Sequence, residues 1–541
     1  MCLFKQIVMK KVLNILAVAL IATSCEFLDV EPLGQPSDTP EYYNELVNSQ
    51  QAVNSIYSAL SRDYDIHLHH WYFGEVMSDN AWKGGSSWAD TEELQDLVEW
   101  RGIASSVRVR TLWERQYQGI YRANLCIDRI SKSDLPEKER NYLLGEARFL
   151  RGYAYFYLAK MFGDVPLFEE PVELSQLGKV ERTPFDKVLS FVREDFEEAS
   201  KLLGKKSEME TGRATWGAAK AYLARCIMYE IGMFKTLDES SWQDVYNITD
   251  EIIKSNEYTL KGVNLAQVLD ISGENGPESI FEWQYIDSPL GGGSSSCITL
   301  QPRGGDGISG WGWGLMCPTQ DLVDEFETDD PRLNYTVGRH GEYAFGIQKG
   351  LDSSNPAITE YFPRKMLLDD SFRPKQNKQG PLNKVMFRYA DIILMNAEAA
   401  YHLNKPVSEI VGRLNEVRSR AREMTYPKGY FEGDNSFKER PLPHIYPQDL
   451  PETLSGEELY EAILHERRVE LALEGLRYFD LIRTGRYEQA LLKSDFGYLP
   501  GVKPETVLAN YKTHLLRGVP VLPIPEVEVS TYGLKQNPGY N

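Results

Sequence analysis

Gly145-Glu146-Ala147-Arg148-Phe149-Leu150-Arg151-Gly152-Tyr153-Ala154-Tyr155-Phe156-Tyr157-Leu158 is the stretch whose reading decides the fold. It lies inside a longer run, Glu137 to Phe162, that holds no proline and keeps a helical apolar spacing throughout. That run reads as a single helix of about seven turns. Ala147, Leu150, Ala154 and Leu158 fall on one stripe, with Tyr153 and Tyr157 a turn apart beside it. Small residues on such a stripe let a second helix approach closely.

Outward from this helix the same style recurs. Tyr42 to Leu60 and Ser106 to Ile130 are periodic, and Arg213 to Ile231 carries Ala218, Ala219, Ala221, Leu223 and Ala224 before an amphipathic run from Trp242 to Ser255. Arg388 to Leu403 and Val407 to Arg422 form a further pair broken at Lys405-Pro406, and Leu459 to Glu474 is the last long helix, continued after Gly475 by Arg477 to Arg483. The units have the size of tetratricopeptide helix pairs, although the strict consensus is absent. Between them, residues 261–373 are rich in Gly, Ser, Pro and aromatics and read as long loops with a few short strands. A smaller aromatic loop, 67–90, carries Trp71, Tyr72, Trp82 and Trp88. Long loops on a rigid frame are where binding sits. No long linker divides the chain, so the expectation is a mainly α body over 25–541, with a helical part at 25–260, the loop-rich insert at 261–373 and a second helical part at 374–541.

The first 24 residues have a different character. Lys10 and Lys11 precede the short apolar run Val12 to Ala22, and the small residues Ala22, Thr23 and Ser24 lead into Cys25. This order reads as a lipoprotein signal peptide over 1–24, with Met9 as initiator and Cys25 as the lipidated residue; the apolar run is too short to cross a bilayer. The segment Glu26-Phe27-Leu28-Asp29-Val30-Glu31-Pro32 after it suits an extended tether. A net charge of -20 excludes the basic stripe that nucleic-acid binding needs. Cys126 and Cys226 fall in helical patterns and read as buried thiols, whereas Cys297 and Cys317 flank a Gly-rich loop, where a disulfide remains open.

Several catalytic patterns are present by letter only. Gly305-Asp306-Gly307-Ile308-Ser309-Gly310 matches a dinucleotide fingerprint but lacks the strand before and the helix after it. His465-Glu466-Arg467-Arg468 begins like a zinc-protease helix, yet Val469 stands where the second histidine belongs, so Glu466, Arg467, Arg468 and Glu470 read as a paired polar network on a packed helix. His67, His69 and His70 cluster on a loop without a carboxylate at helical spacing, which suits polar surface better than a metal site. No catalytic set, metal or cofactor is assigned.

Five segments in order, behind the lipobox, resemble the SusD-like (SusD/RagB) surface lipoproteins of Bacteroidetes. They are the start at Cys25 to Pro32; Gly145 to Leu158, closed by Phe162-Gly163-Asp164-Val165-Pro166; Arg388-Tyr389-Ala390-Asp391-Ile392-Ile393-Leu394-Met395-Asn396-Ala397-Glu398-Ala399; Glu466-Arg467-Arg468-Val469-Glu470-Leu471 with Glu474 to Leu481; and the tail Leu522-Pro523-Ile524-Pro525 to Tyr540. The resemblance implies a SusD-like fold: four tetratricopeptide-like helix pairs as a frame, with the loop-rich, ligand-binding remainder packed on it. It also implies a non-catalytic lipoprotein of the outer membrane, facing the cell exterior. Such a protein captures an oligosaccharide, or in some members a peptide, and passes it to a SusC-like TonB-dependent transporter over which it acts as a lid. The Glu26 to Glu31 stretch resembles the surface-export tether of that group. A surface glycoside hydrolase and a pure helical scaffold stand as the competing classes.

Sugar capture needs flat apolar faces for the ring and polar groups for its hydroxyls. Two clusters supply both: Trp71, Trp82 and Trp88 with Asp79 and Asn80, and Tyr285, Arg303 and Trp311 with Asp306. Trp283 and Trp313 read as structural, and Trp82 and Trp88 on their Gly-rich loop are the preferred platforms.

Overall fold

The computed structural model describes residues 40–62, 72–172, 180–288, 292–304, 312–372 and 379–540, apart from the side chains of residues 296 and 297. Cys25, Trp71, Asp306, Trp311 and the three loop histidines therefore lie outside the described residues.

Eight helices build the frame: α1 (Leu46–Leu60), α2 (Val107–Ser131), α3 (Glu137–Phe162), α4 (Phe185–Leu202), α5 (Trp216–Tyr229), α6 (Trp242–Lys254), α7 (Tyr389–His402) and α8 (Val407–Arg422). Each packs on the next in chain order, so four antiparallel pairs stack in one array. The contact between α6 and α7 is as close as the others although a 134-residue insert, 255–388, separates them. Helix α3 has the predicted bounds and is buried on nearly all sides, because α2 and α4 flank it. Gly152 is what allows the approach of α4: a Cβ there would stand 3.0 Å from the Phe196 ring. The partner α4 was not anticipated, although Phe185, Val188, Leu189, Val192, Phe196 and Ala199 form its buried face at helical spacing.

Among the described residues the insert contributes short antiparallel pairs and no extended sheet. Strand β1 (Ala81–Gly84) pairs with β3 (Leu315–Pro318), β2 (Ser279–Trp283) with β6 (Lys384–Arg388), and β4 (Val337–Arg339) with β5 (Tyr361–Pro363). Through β2 the insert enters the core. Trp283 is buried and lies edge-on to Tyr153 at 5.5 Å, and Phe281 meets Phe149 at 5.0 Å. Trp283 is thus structural, as its apolar neighbours suggested.

Helices α9 (Gly456–Leu471) and α10 (Arg477–Arg483) carry the polar network expected from their sequence, and it is larger than expected. Arg388, at the end of β6, donates to Glu474 at 2.7 Å, Glu278 at 2.7 Å and Glu470 at 2.6 Å; Arg420 reaches Glu278 and Glu470; Arg332 and Arg418 meet at Glu466. All of these side chains are buried. Burial alone would raise the Glu470 carboxyl, but the guanidiniums of Arg420, Arg388 and Arg332 hold it far below the usual range. Asp391 on α7 likewise joins Arg225 of α5 to Arg467 of α9, the latter at 2.7 Å. The network ties helix pairs three and four, the insert and α9 into one piece. Cys126, Cys226 and Cys317 are buried free thiols. The pairing with Cys297 that the sequence left open is not formed: Cys317 sits in β3 with its Sγ on the Gly314 carbonyl at 3.3 Å, and burial pushes its thiol up to about 12.

Candidate functional site

The aromatic loop is fastened to the α9–α10 turn by Glu75. Its carboxylate accepts the amides of Gly475 at 2.6 Å, Leu476 at 3.1 Å and Leu473 at 3.2 Å, together with Asn80 Nδ2 at 2.8 Å. Leu473 and Gly475 have φ of +66° and +84°, which turns the chain so that these amides converge. Burial pushes the Glu75 carboxyl up to about 7 in spite of the four donors. Asp79 receives Arg477 in a two-pronged bond, 2.8 Å on each oxygen, and Arg468 bridges Asn80 at 3.0 Å, Asp321 at 2.6 Å and Glu325 at 2.8 Å.

Asp79 and Asn80 were expected to meet ligand hydroxyls, and their bonds assign them another role. Asn80 is completely buried with both ends of its amide engaged, so it is a brace out of a ligand's reach. Asp79 lines a small cleft of about 230 Å³, but its two oxygens are occupied by arginine. Tyr285 is also buried: its hydroxyl donates to the Ser61 carbonyl at 2.7 Å.

Beyond Asn80 the chain forms β1, and there Trp82 and Trp88 come together. Gly84 and Gly85, at φ +75° and +95°, reverse the chain against Gly314, whose carbonyl accepts the Gly85 amide at 2.9 Å. A Cβ at Gly84 would stand 2.1 Å from that carbonyl, so only glycine fits. The reversal folds Trp88 back over Trp82 with ring centroids 5.9 Å apart and planes at 42°. The indole Nε1 of Trp88 is shielded and has no partner among the described residues.

A buried lysine holds this loop. Lys83 is 1% exposed, and its ammonium donates to the carbonyls of Ser87 at 3.3 Å, Trp88 at 3.3 Å and Asp90. Asp90 closes the loop by accepting the Ser86 amide at 2.7 Å and hydroxyl at 2.8 Å, while Asn355 donates to the Gly85 carbonyl at 2.7 Å. The Gly-rich loop is therefore a clamped turn built around one internal cation.

Trp82 borders a wide cleft of about 720 Å³, shared with Gln320, Asp321, Glu360, Tyr361, Lys493 and Asp495. Its underside rests on the backbone of Gly497, where a Cβ would stand 2.4 Å from the indole. The cleft combines a half-buried indole, carboxylates at Glu360 and Asp495, and the exposed Lys493 ammonium, which lies 3.2 Å from Asp321; Asp321 is otherwise held by Arg468, and Gln320 spends its amide on Asp324 and Tyr361. That mixture suits a polyhydroxylated ligand that stacks on one face. Arg303 comes near the same loop from the other predicted cluster, its side chain 3.0 Å from the Cβ position of Gly314. The cleft residues beyond 319 escaped sequence reasoning because three separate segments supply them. One local signal existed, Thr319, which caps the helix Gln320–Glu325 and anchors its hydroxyl on the Asp79 carbonyl at 2.6 Å.

Two family models match the chain: one described as "SusD family" over residues 277–540, and one described as "Starch-binding associating with outer membrane" over residues 26–228. The chain is 27% identical over 503 residues to SusD-like protein P38 of Formosa agariphila, covering 86% of this chain and 89% of that protein. Surface glycan-binding protein A from Bacteroides fluxus superposes with a TM-score of 0.71 at 24% identity, covering 91% of this chain and 99% of that one. Surface glycan-binding protein A from Bacteroides thetaiotaomicron, solved in complex with laminarihexaose, superposes at 0.69 and 21% identity with the same coverage. These superpositions confirm the mainly helical frame. Among the described residues no helix is long and apolar enough to cross a membrane.

Proposed function

The chain belongs to the SusD/RagB family, and from that premise we propose that it captures a glycan at the cell surface and delivers it to a partner TonB-dependent transporter. Cys25 carries the lipid that anchors it at the outer membrane, facing outward. The single observation that supports the capture step is the Trp82–Trp88 pair, held by Lys83 beside an open cleft of mixed donors and acceptors. Its structural neighbours, among them a laminarin-binding SusD-like protein and a surface glycan-binding protein solved with laminarihexaose, support a glycan as cargo. The protein acts without catalysis, as a binding lid.

A glycan and peptide screen of the purified chain, followed by calorimetry on Trp82→Ala and Trp88→Ala, tests the reading. Loss of one stacked ring costs about 1–2 kcal/mol, so each variant weakens the glycan by roughly tenfold. Unchanged affinity in the double variant removes this site, binding of peptides alone moves the cargo to the peptide class, and release of reducing sugar from a bound glycan overturns the non-catalytic reading. Palmitate incorporation that persists in Cys25→Ala would overturn the anchor.

A further inference from the structure

A second concavity is built from other parts of the chain and shares no lining residue with the Trp82 cleft. Its volume is about 300 Å³, and α2, the segment after α3 and the C-terminal helix α12 (Glu526–Tyr532, taking Pro504–Thr513 as α11) form its walls. Four rings line it: Trp113 and Tyr117 from α2, Phe168, and Tyr532 from α12. Trp113 belongs to the core, 3% exposed and edge-on to Phe162 at 5.1 Å, and forms the floor of the groove, while the half-buried Tyr117 and Phe168 and the rim residue Tyr532 supply its sides. Trp113 and Tyr117 stand 4.9 Å apart at 46°, and Tyr117 meets Phe168 at 5.9 Å and 75°. Tyr532 remains 36% exposed at the rim.

Two carboxylates complete the lining, Glu114 and Glu528. Glu528 is half-buried, and among the described residues no hydrogen bond or ion pair reaches its side chain. Burial, and then the charge of Glu114, raise its carboxyl above the usual range. The basic groups nearby leave it uncompensated. Arg110 pairs with Glu114 at 3.6 Å on the outer face of α2, and Arg182, behind Tyr117, spends its donors on the carbonyls of Asp164 and Lys535 and on Asn537. The Tyr117 hydroxyl is likewise turned away, donating to the Pro166 carbonyl at 2.8 Å. Toward the groove there remain ring surface, carboxylate acceptors and one amide, that of Gln118, whose oxygen accepts from Arg115 at 3.1 Å.

We propose that this groove is a binding site for a small organic cation, an alkylammonium or quaternary ammonium group that lies against the rings and neutralises Glu528. Ring quadrupoles attract such cations, and the attraction grows as the cation is desolvated. A neutral sugar would find few donors here for its oxygens, which is the difference from the Trp82 cleft.

Choline and its neutral isostere 3,3-dimethylbutan-1-ol are the probes, titrated into the purified chain by saturation-transfer NMR and calorimetry. Choline binds and the isostere binds at least roughly tenfold more weakly, the discrimination expected of a desolvated cation–π and carboxylate site. Glu528→Gln and Tyr532→Ala, both surface changes on α12, each weaken choline by a similar factor and leave Trp82-dependent glycan binding unchanged. Equal binding of the two probes reduces the groove to an apolar hollow and overturns the proposal. So does the absence of transfer from choline, full choline affinity in both variants, or a parallel loss of glycan binding, which would deny a separate site.

Discussion

Lys83→Met isolates the clamp that presents Trp88. The ammonium serves three carbonyls, but Ser87 O also accepts the Asp90 amide at 3.1 Å, so two carbonyls, those of Trp88 and Asp90, lose their recorded donor. Each buried carbonyl left unpaired costs about 1–3 kcal/mol, giving a raw cost of about 2–6 kcal/mol. Two effects reduce it. Burial lowers the Lys83 pKa, which shows that desolvating the ammonium cancels part of its gain, and the loop can open to let water reach the freed carbonyls. The lower end, about 2 kcal/mol, is therefore expected, and it falls on opening of the loop and not on global unfolding. Native-state hydrogen exchange reads this directly at the amides of Gly85, Ser86 and Asp90, which are bonded to Gly314, Asp90 and Ser87. Their protection should fall by roughly thirtyfold, while amides in the middle of α3 stay unchanged. Glycan affinity should fall with the fraction of closed loop. Unaltered exchange at these three amides would refute the clamp, and altered exchange with full glycan affinity would refute the role of Trp88.

Other expectations follow from packing and charge. Arg388→Leu removes one cation from each of the buried carboxylates Glu278, Glu470 and Glu474, leaving them to Arg420, Arg332 and Lys365, and should destabilise the chain by about 3–5 kcal/mol in urea unfolding; a shift under 1 kcal/mol would mean that these remaining cations carry the network alone. Gly152→Ala drives a Cβ onto Phe196 and should cost about 1–3 kcal/mol. By contrast Gly412→Ala on α8, with nothing within 4 Å, should gain about 0.5–1 kcal/mol, and equal effects from the two would refute the packing account of Gly152. His465 lies 2.8 Å from Glu325 and 3.5 Å from Glu327; burial would lower its pKa, but the two carboxylates raise it to about 9. Its folded pKa exceeds its unfolded one, so its stabilising contribution is complete below the unfolded value and is lost as pH rises through about 9. His465→Gln should flatten that part of the stability profile, and an NMR titration of His465 with an ordinary midpoint would refute the pairing.

Much of the frame was legible because helical periodicity is a local property. Helices α3 and α8 have the bounds their apolar spacing predicted, and α10 begins and ends where Arg477 and Arg483 do. Helix α4 carries the same periodicity, with Val188, Leu189, Val192, Phe196 and Ala199 on its buried face. The charged run of α9 was correctly read as structural, since its arginines and glutamates had no metal-binding spacing. The site was half legible. Trp82 and Trp88 could be chosen from their Gly-rich neighbours, but nothing along the chain marks Lys83 as the internal cation that orders their loop, because its partners become visible only once the turn is folded. Asp79 and Asn80 looked like free polar groups because their partners, Arg477 and Arg468, stand nearly four hundred residues away.

The sequence by itself determined seven of the eight frame helices, the charged helix α9 and the family to which the chain belongs, because each rests on spacing or motifs within a few turns of chain. Only the tertiary structure decided which polar groups are committed. A carboxylate or amide is available to a ligand when no donor reaches it, and the donors at Glu75, Asp79 and Asn80 arrive from the α9–α10 turn. Hydrogen-bond partnership is a property of distance in space, so neither the brace at Asn80 nor the cleft assembled from residues near 82, 320, 360 and 495 could be read along the chain.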